Sequence, residues 1–401
     1  MLITDTALDH GLNKTSRILV AEFLLANSEA SRLAALSMLE EAEAMLTAVV
    51  ADIARLPDVK VTVLLSAEAA ARFAESQIFC VPQGRNNILI QRGELQADTL
   101  PTILRDESLQ AAFDAVLLIV PECDGVLVSL LQAVQASDVL PTRSLNLDWR
   151  LAEIFADKRR TDVWLRQHGI AAIPTRTIDD ATAGLMHDKW LGNTSSASVT
   201  DLHRATTEQL AVLKPRDGAG AASVCIVRLN QQLFEDLPQQ FSDDDRWILQ
   251  PFMPGAACSV GFLGGGECGP TTILPPARQN IRVTDGRMSY HGGQIPCESA
   301  IASRIAPVAE RIAAALGAFS GYVGADLLVD VSVPADSEVS VCVVEINPRL
   351  CTSYVGYQAL AEDNLAAWML QRYTGQALRW KQGAVTFSAN GETRLASTPA
   401  V

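Results

Sequence analysis

The sequence predicts a doubly wound α/β domain followed by a larger α+β region of antiparallel strands. Three observations support this fold class. The chain has 401 residues, which suggests two or three domains. Apolar strands alternate with amphipathic helices over roughly the first 145 residues, as in a parallel sheet covered by helices. Beyond that point strand follows strand, with a hairpin turn at Asp285-Gly286.

The composition is that of a globular, acidic protein. Hydrophobic residues make up 48% and charged residues 19%, and the formal net charge is -14. This charge disfavours nucleic acid and anionic membranes as partners. No apolar run reaches transmembrane length, and Met1 to Ser16 lack a signal-peptide core, so we expect a cytoplasmic protein. The eight cysteines show no zinc-type spacing and are expected to be reduced.

The first domain is predicted over residues 17–145, after a tail at 1–16. Its expected strands are 17–23, 59–65, 87–91 and 114–120, and its helices include 31–56, 66–74 and 125–136. No G-x-G-x-x-G follows the first strand, which disfavours a Rossmann oxidoreductase. Glu122 follows the fourth strand, at the sheet edge where such folds bind ligands and where a carboxylate could orient an amino group. A solvated loop glutamate is the alternative.

The second part is predicted over residues 146–255 and 256–380, with a tail at 381–401. Helices are expected over 148–168, 302–316 and 364–376, and the polar run 192–198 is expected to be a surface loop. The expected strands are 211–214, 224–229, 246–250, 258–263, 271–274, 281–284, 288–290, 321–330 and 339–347.

The last of these strands carries a candidate metal site. Glu345 and Asn347 are two residues apart and therefore share one face of the strand. Carboxylate and amide oxygens are ligands that suit Mg²⁺. Asp326, on the preceding strand, could lie near Glu345 across the hairpin, in a register that the sequence leaves open. Arg349 continues the same series and offers a fork for phosphate or carboxylate.

A glycine-rich loop follows the strand that ends at Lys214. Backbone N–H groups of such a loop can cover phosphates, with the lysine as a point charge. No G-K-[ST] follows the glycines, so the loop is not a P-loop, and alone an ordinary hairpin would explain it.

The order of these features resembles that of the ATP-grasp superfamily over roughly Asp157 to Gln376. The preceding α/β region resembles the pre-ATP-grasp domain, and the resemblance implies a two-lobed α+β ATP-grasp fold. It implies that the residues contacting ATP are Lys158, Lys214, Gly218, Gly220, Ser223, Gln250, Pro251, Phe252 and Met253. It also implies that Asp326, Glu345 and Asn347 bind two Mg²⁺ ions, which Mn²⁺ could replace.

Finer features resemble the tyramine–glutamate ligase group of methanofuran-type cofactor biosynthesis. They are Pro121-Glu122, the loop from Lys214 to Gly220, the segment from Gln250 to Gly255, Tyr290 to Pro296, and Asn347-Pro348-Arg349-Leu350. Two departures stand out. Gly324 replaces the arginine of D-Ala–D-Ala-type ligases, and Ala257 stands where many ATP-grasp proteins have a glutamate for the ribose.

The resemblance implies a carboxylate–amine ligase that forms an amide through an acylphosphate, joining glutamate to an aromatic amine or amino acid. Arg349, Arg278 and Lys214 would be catalytic, and the substrate contacts would be Glu122, Gln279, Tyr290 and Tyr354. Each of these has an ordinary packing or salt-bridge alternative. Two other functions stay open: a carboxylase-like enzyme that uses bicarbonate, and a nucleotide-binding protein without turnover. The resemblance also suggests a homodimer.

Overall fold

The computed structural model describes residues 15–76, 87–105, 113–136, 142–178, 209–218, 223–229, 246–266, 269–335, 337, 340–372 and 376–396. Its helices are α1 (Phe23–Ala26), α2 (Ser28–Leu33), α3 (Leu36–Arg55), α4 (Ala67–Ser76), α5 (Leu100–Arg105), α6 (Val126–Ala136), α7 (Trp149–Phe155), α8 (Lys158–Gln167), α9 (Ser299–Leu316), α10 (Ser353–Leu360) and α11 (Leu365–Met369). Its strands are β1 (Ser16–Glu22), β2 (Val59–Leu65), β3 (Ile88–Arg92), β4 (Ala115–Ile119), β5 (Arg143–Ser144), β6 (Arg176–Thr177), β7 (Gln209–Pro215), β8 (Cys225–Leu229), β9 (Trp247–Pro251), β10 (Ala256–Gly265), β11 (Thr272–Ile273), β12 (Ala277–Thr284), β13 (Arg287–Ile295), β14 (Ser320–Val329), β15 (Val341–Asn347), β16 (Ala384–Phe387) and β17 (Thr393–Ala396).

The first domain is built on a parallel sheet, which confirms the doubly wound prediction. The strand order is β3-β2-β1-β4-β5, and each neighbouring pair runs parallel. All five residues of β4 are buried, as expected for a strand covered on both faces. The order reverses between β1 and β4, so the carboxyl ends of these two strands form the switch point at which ligands bind in such sheets.

The rest of the chain is organised around a mostly antiparallel sheet, which confirms the α+β prediction. Its strand order is β15-β14-β10-β12-β13-β8-β7-β9-β6. Strand β10 pairs with β14 along its whole length, from Ala256↔Val329 to Gly265↔Ser320. Helix α9 packs its apolar side, including Ile305 and Ile312, on this sheet. The sheet therefore holds β14 and β15, the strands of the candidate metal site, in a fixed frame.

Three predicted elements differ from the structure. The helix expected over 148–168 is divided into α7 and α8, because the Asp157 carboxylate accepts the amide N–H groups of Arg159 and Arg160 and caps a new helix. The last helix ends at Met369 rather than at residue 376, and Gln371 adopts a left-handed φ of 57° soon after.

The third difference is at the C-terminal end of the described chain. Residues from 381 on were expected to be a tail, yet β16 and β17 form a hairpin there, and β16 pairs with β13. Val385 and Phe387 are buried and alternate with exposed residues, so burial of this apolar face holds the hairpin on the sheet. The predicted tail before residue 15 and the polar run 192–198 lie outside the described residues.

Helix α3 joins the two parts of the protein through a buried polar network. Asp52 is 1% exposed and accepts a hydrogen bond from the Tyr354 hydroxyl at 2.7 Å. Gln358 donates to the Ala48 carbonyl at 2.6 Å and to Asp52 at 3.1 Å. Burial raises the pKa of Asp52 above its ordinary value. Tyr354 was expected to contact substrate, but its hydroxyl is bonded to Asp52 and its ring is fully buried, so we assign it to packing between domains.

Among the described helices, none combines the length and the apolar character needed to cross a membrane.

Candidate active site

Three candidate metal ligands meet on β14 and β15, as their strand positions predict. Asp326 lies directly opposite Glu345, and Gly324 lies opposite Asn347. A bulge follows, since Leu327 pairs with Val343 and leaves Val344 unpaired. The Asn347 amide donates to Asp326 Oδ2 at 3.2 Å. The structure thus supplies the register that the sequence left open.

Two lysines converge on this pair from other elements. Lys214, at the end of β7, places its Nζ 3.5 Å from Glu345 Oε2, and Lys158, the first residue of α8, places its Nζ 3.8 Å from the same oxygen. Their side chains are 6% and 10% exposed. Lys158 also donates to the Gly218 carbonyl at 2.9 Å, which ties α8 to the start of the glycine loop.

The charges of this cluster depend on one another. Burial, together with the charge of the nearby Glu345 carboxylate, raises the pKa of Asp326 to about 7. Burial alone would also raise the pKa of Glu345, but the ammonium groups of Lys214 and Lys158 outweigh burial and lower it to about 2. Burial lowers the pKa of Lys214, and Glu345 opposes that shift. A partly buried carboxylate pair of this kind favours an added positive charge.

Gln279 is drawn into the same cluster. Its amide, on β12, donates to Asp326 Oδ1 at 2.8 Å. In this structure Gln279 therefore contacts a candidate metal ligand, and its contact with substrate remains a proposal. Among the described residues, no group of three or more His, Cys, Asp or Glu side chains could hold a metal. A metal at this site would thus need the amide oxygen of Asn347 as well as the two carboxylates.

Arg349 is paired with the N-terminal domain. Its Nε donates to Glu122 Oε2 at 3.1 Å, and its Nη1 donates to the Leu350 carbonyl at 3.1 Å. Burial would lower the pKa of Arg349, but the Glu122 carboxylate more than offsets this and raises it. Glu122 is not a solvated loop residue, because it is only 3% exposed. The switch point of the first domain therefore lies next to the end of β15.

Other predicted nucleotide contacts are spread along β7, β9 and the glycine loop. Gln250 is buried and donates to the Thr175 hydroxyl at 2.9 Å, and Pro251 is also buried. The Phe252 amide donates to the Leu210 carbonyl at 3.0 Å, while Met253 is partly exposed. Ser223 is exposed, and Gly220 lies outside the described residues.

Arg278 and Tyr290 are the two remaining predicted site residues. Arg278, on β12, lies beside the thiols of Cys258 and Cys297 and interacts with the first of them. Tyr290, on β13, is partly buried; burial raises the pKa of its hydroxyl, and the carboxylates of Glu41 and Asp326 add to this. Tyr290 therefore lies near Glu41 of α3 and Asp326 of β14, and the substrate contacts of Arg278 and Tyr290 remain proposals.

Sequence reasoning missed two glutamates of the first domain. Glu22 is the last residue of β1, at the switch point, and its carboxylate interacts electrostatically with both Arg349 and Glu41. Glu41, on α3, accepts a hydrogen bond from the Thr352 hydroxyl. The position of Glu22 at the carboxyl end of a buried strand was a usable signal. Glu41 carried none, because it looks like any polar residue on an amphipathic helix.

Glu22 should make the stability of the protein depend on pH. Burial raises its pKa from 4.5 to about 8, although the Leu25 amide and Arg349 partly oppose this shift. The folded state therefore holds an extra proton, and the stability present below pH 4.5 is lost as pH rises through about 8. Glu22→Gln keeps an acceptor for the Leu25 amide and should raise the unfolding free energy at pH 9 by about 2–4 kcal/mol.

Urea unfolding at pH 5 and pH 9 checks this prediction, with the exposed Glu29→Gln as the matched control. The Glu22 variant should differ from the wild type far more at pH 9 than at pH 5. An equal difference at both pH values would contradict a raised pKa.

Comparison with known proteins agrees with this geometry. Residues 155–353 match the ATP-grasp domain family. The chain is 24% identical over 147 residues to the tyramine–L-glutamate ligase of Methanocaldococcus fervens, a match that covers 37% of this chain and 45% of that protein. The chain therefore aligns with less than half the length of this curated relative.

Solved structures extend the likeness over most of the chain. An ATP-grasp superfamily protein from Archaeoglobus fulgidus has a TM-score of 0.58 at 18% identity, covering 92% of both chains. An L-amino acid ligase from Bacillus licheniformis has a TM-score of 0.56 at 14% identity, covering 93% of this chain and 79% of that one. At these identities the likeness shows the fold. Residues 155–353 therefore form an ATP-grasp domain, and the chain as a whole shares the fold of the solved ATP-grasp structures.

Proposed function

We propose that this protein is an ATP- and Mg²⁺-dependent carboxylate–amine ligase that forms an amide through an acylphosphate. The observation that carries the proposal is the convergence of Lys158 and Lys214 on Glu345, directly opposite Asp326. Two cations and two carboxylates in one partly buried cluster suit a polyphosphate held together with a metal ion.

The residues present fit a divalent cation. Asp326 has a pKa raised by burial and by Glu345, so a cation between the two carboxylates would relieve an existing repulsion. Asp326, Glu345 and Asn347 would hold it, once the Asn347 amide turns its oxygen toward the site. When bound, Mg²⁺ would neutralise charge on the terminal phosphates.

The chain's own residues would position ATP for phosphoryl transfer. Lys158 and Lys214 would exchange part of their contact with Glu345 for phosphate oxygens. The loop that begins at Gly218 would cover the phosphates with backbone N–H groups. The segment from Gln250 to Met253 would border the adenine. Such catalysis consists mostly of positioning and electrostatic stabilisation.

The proposed reaction has two steps. A carboxylate oxygen of the first substrate attacks the γ-phosphorus, the bond to the β-phosphate oxygen breaks, and ADP leaves. The amine then attacks the acyl carbon, a C–N bond forms, and the C–O bond to phosphate breaks. Arg349 Nη2 makes no hydrogen bond within the described residues, and it is the group that we propose contacts the substrate carboxylate.

For the substrates, we propose glutamate as the carboxylate and an aromatic amine such as tyramine as the acceptor. The support is the name of the Methanocaldococcus relative, together with a partly buried tyrosine, Tyr290, near Glu41 and Asp326. A place in methanofuran-type cofactor biosynthesis follows only if these substrates are correct.

The test is ADP release with Mg²⁺-ATP across a panel of carboxylates and amines, with the product masses measured. Glutamate plus tyramine should give ADP, phosphate and an amide that has lost one water relative to its parts. ADP release that requires bicarbonate and no amine would favour the carboxylase-like alternative. ATP binding without turnover on any substrate pair would refute the ligase proposal.

A further inference from the structure

Glu122 has an unusual place for a residue of the first domain. It follows β4 at the switch point, yet it lines a small cavity together with Lys158, Glu345 and Asn347 of the ATP-grasp domain. The cavity has room for about one water molecule. A group bound to Glu122 there would lie beside the candidate phosphoryl-transfer site.

The hydrogen bonds of Glu122 are incomplete. Arg349 Nε has one N–H, which it donates to Oε2 at 3.1 Å. Oε1 lies 2.9 Å from the same nitrogen, but off the direction of its N–H, so it gains Coulombic attraction and no hydrogen bond. Within the described residues, this buried oxygen has no donor at all. A buried carboxylate oxygen without a donor is costly, which indicates that a ligand completes it.

The chemistry of the cavity selects the ligand. A carboxylate oxygen needs an N–H or O–H donor, and it repels anions. The nearest lysine ammonium groups are directed to Glu345, 3.5 and 3.8 Å away, so they are not the missing donor. An amino group provides several N–H donors for Glu122 Oε1. As an ammonium it also carries a positive charge, which strengthens a hydrogen bond to a carboxylate oxygen.

We propose that Glu122 binds the amino group of the acceptor, a primary amine, and takes the proton that this group must lose before it attacks. This inference rests on the proposed ligase function. Arg349 holds Glu122 in place through Oε2 and leaves Oε1 for the substrate. The N-terminal domain thereby supplies the amine site, and the ATP-grasp domain supplies the phosphoryl-transfer site.

Amide formation removes two protons from the ammonium and releases phosphate from the acyl carbon. The ammonium gives one proton to the Glu122 carboxylate, and the nitrogen lone pair forms the C–N bond at the acyl carbon. The C–O bond to phosphate breaks, and phosphate leaves with that electron pair. The remaining extra N–H proton is released with phosphate, and Glu122 then gives its proton to solvent, so the products are the amide, ADP and phosphate.

The test separates the two half-reactions by using hydroxylamine. Hydroxylamine is mostly uncharged at neutral pH, so it can trap an acylphosphate as a hydroxamate without an ammonium site. In Glu122→Gln, amide formation with the amine should fall by about 100-fold or more, the range for loss of a general base. Hydroxamate formation from the same carboxylate and ATP should fall less than about 5-fold, since the glutamine amide oxygen still accepts the Arg349 N–H.

Glu153→Gln is the matched control, because it removes a glutamate charge from an exposed pair with Arg160. It should leave both rates unchanged. Equal losses of hydroxamate and amide in Glu122→Gln would overturn the amine role and indicate a structural one. Unchanged rates in both reactions would also overturn it. Failure of the wild type to form hydroxamate with any carboxylate would instead refute the ligase proposal itself.

Discussion

Replacing Glu345 with glutamine should lower ATP turnover by about 1,000-fold or more, the scale of losing a central electrostatic contact in the transition state. The substitution is isosteric, but it removes the negative charge that faces Asp326 and that holds Lys158 and Lys214. The two ammonium groups would then lie close together in a partly buried site without their shared counter-ion. Both the lysine positions and the candidate metal ligand would be lost at once.

Steady-state ADP release measures this effect, and the circular dichroism spectrum reports whether the fold survives. The control is Glu310→Gln, which makes the same chemical change at an exposed position on α9. Its turnover should match that of the wild type. Normal turnover in the Glu345 variant would remove the metal assignment and would place the reaction elsewhere.

The second large effect concerns the contact between the two parts of the protein. Gly321 is the second residue of β14 and has a φ of 87°, and a Cβ there would clash with the Leu145 carbonyl oxygen of the first domain. Backbone atoms cannot move aside cheaply. Gly321→Ala should therefore lower the unfolding free energy by more than about 3 kcal/mol, in the range reserved for overpacking and backbone strain.

Gly169→Ala is a close control, because Gly169 follows α8 with a positive φ of 66°, while a Cβ there meets no atom within 4 Å. It should cost only about 1 kcal/mol, the penalty for the left-handed conformation itself. Urea denaturation of both variants measures the difference. If the two substitutions cost the same, the close approach of Leu145 to β14 does not contribute to stability.

Much of the candidate site was accessible from the sequence because strands alternate their side chains. Glu345 and Asn347 were predicted to share a face. In the structure Glu345 lies opposite Asp326, and the Asn347 amide donates a hydrogen bond to Asp326. The register between β14 and β15 was not predictable, because a bulge at Val344 shifts the pairing by one residue. Pattern alone does not reveal where a strand bulges.

Roles that depend on contacts between domains were the ones that sequence reasoning could not resolve. Tyr354 was expected near substrate, yet it donates to Asp52 on α3. Glu122 had a solvated loop as its alternative, yet it is buried against Arg349. The predicted C-terminal tail is instead a hairpin. Its short alternation of apolar residues forms a strand because β16 pairs with β13, a contact that the sequence does not reveal.

The amino-acid pattern was sufficient to predict the two fold classes, the strand that carries Glu345 and Asn347, and the lysine at the end of β7. These are local properties, set by the spacing of apolar residues along one element. That Lys158 and Lys214 share one carboxylate, and that Arg349 pairs with Glu122, 227 positions away, is visible only in the folded protein. Burial and charge pairing depend on how separate elements pack, and no short-range pattern records that packing.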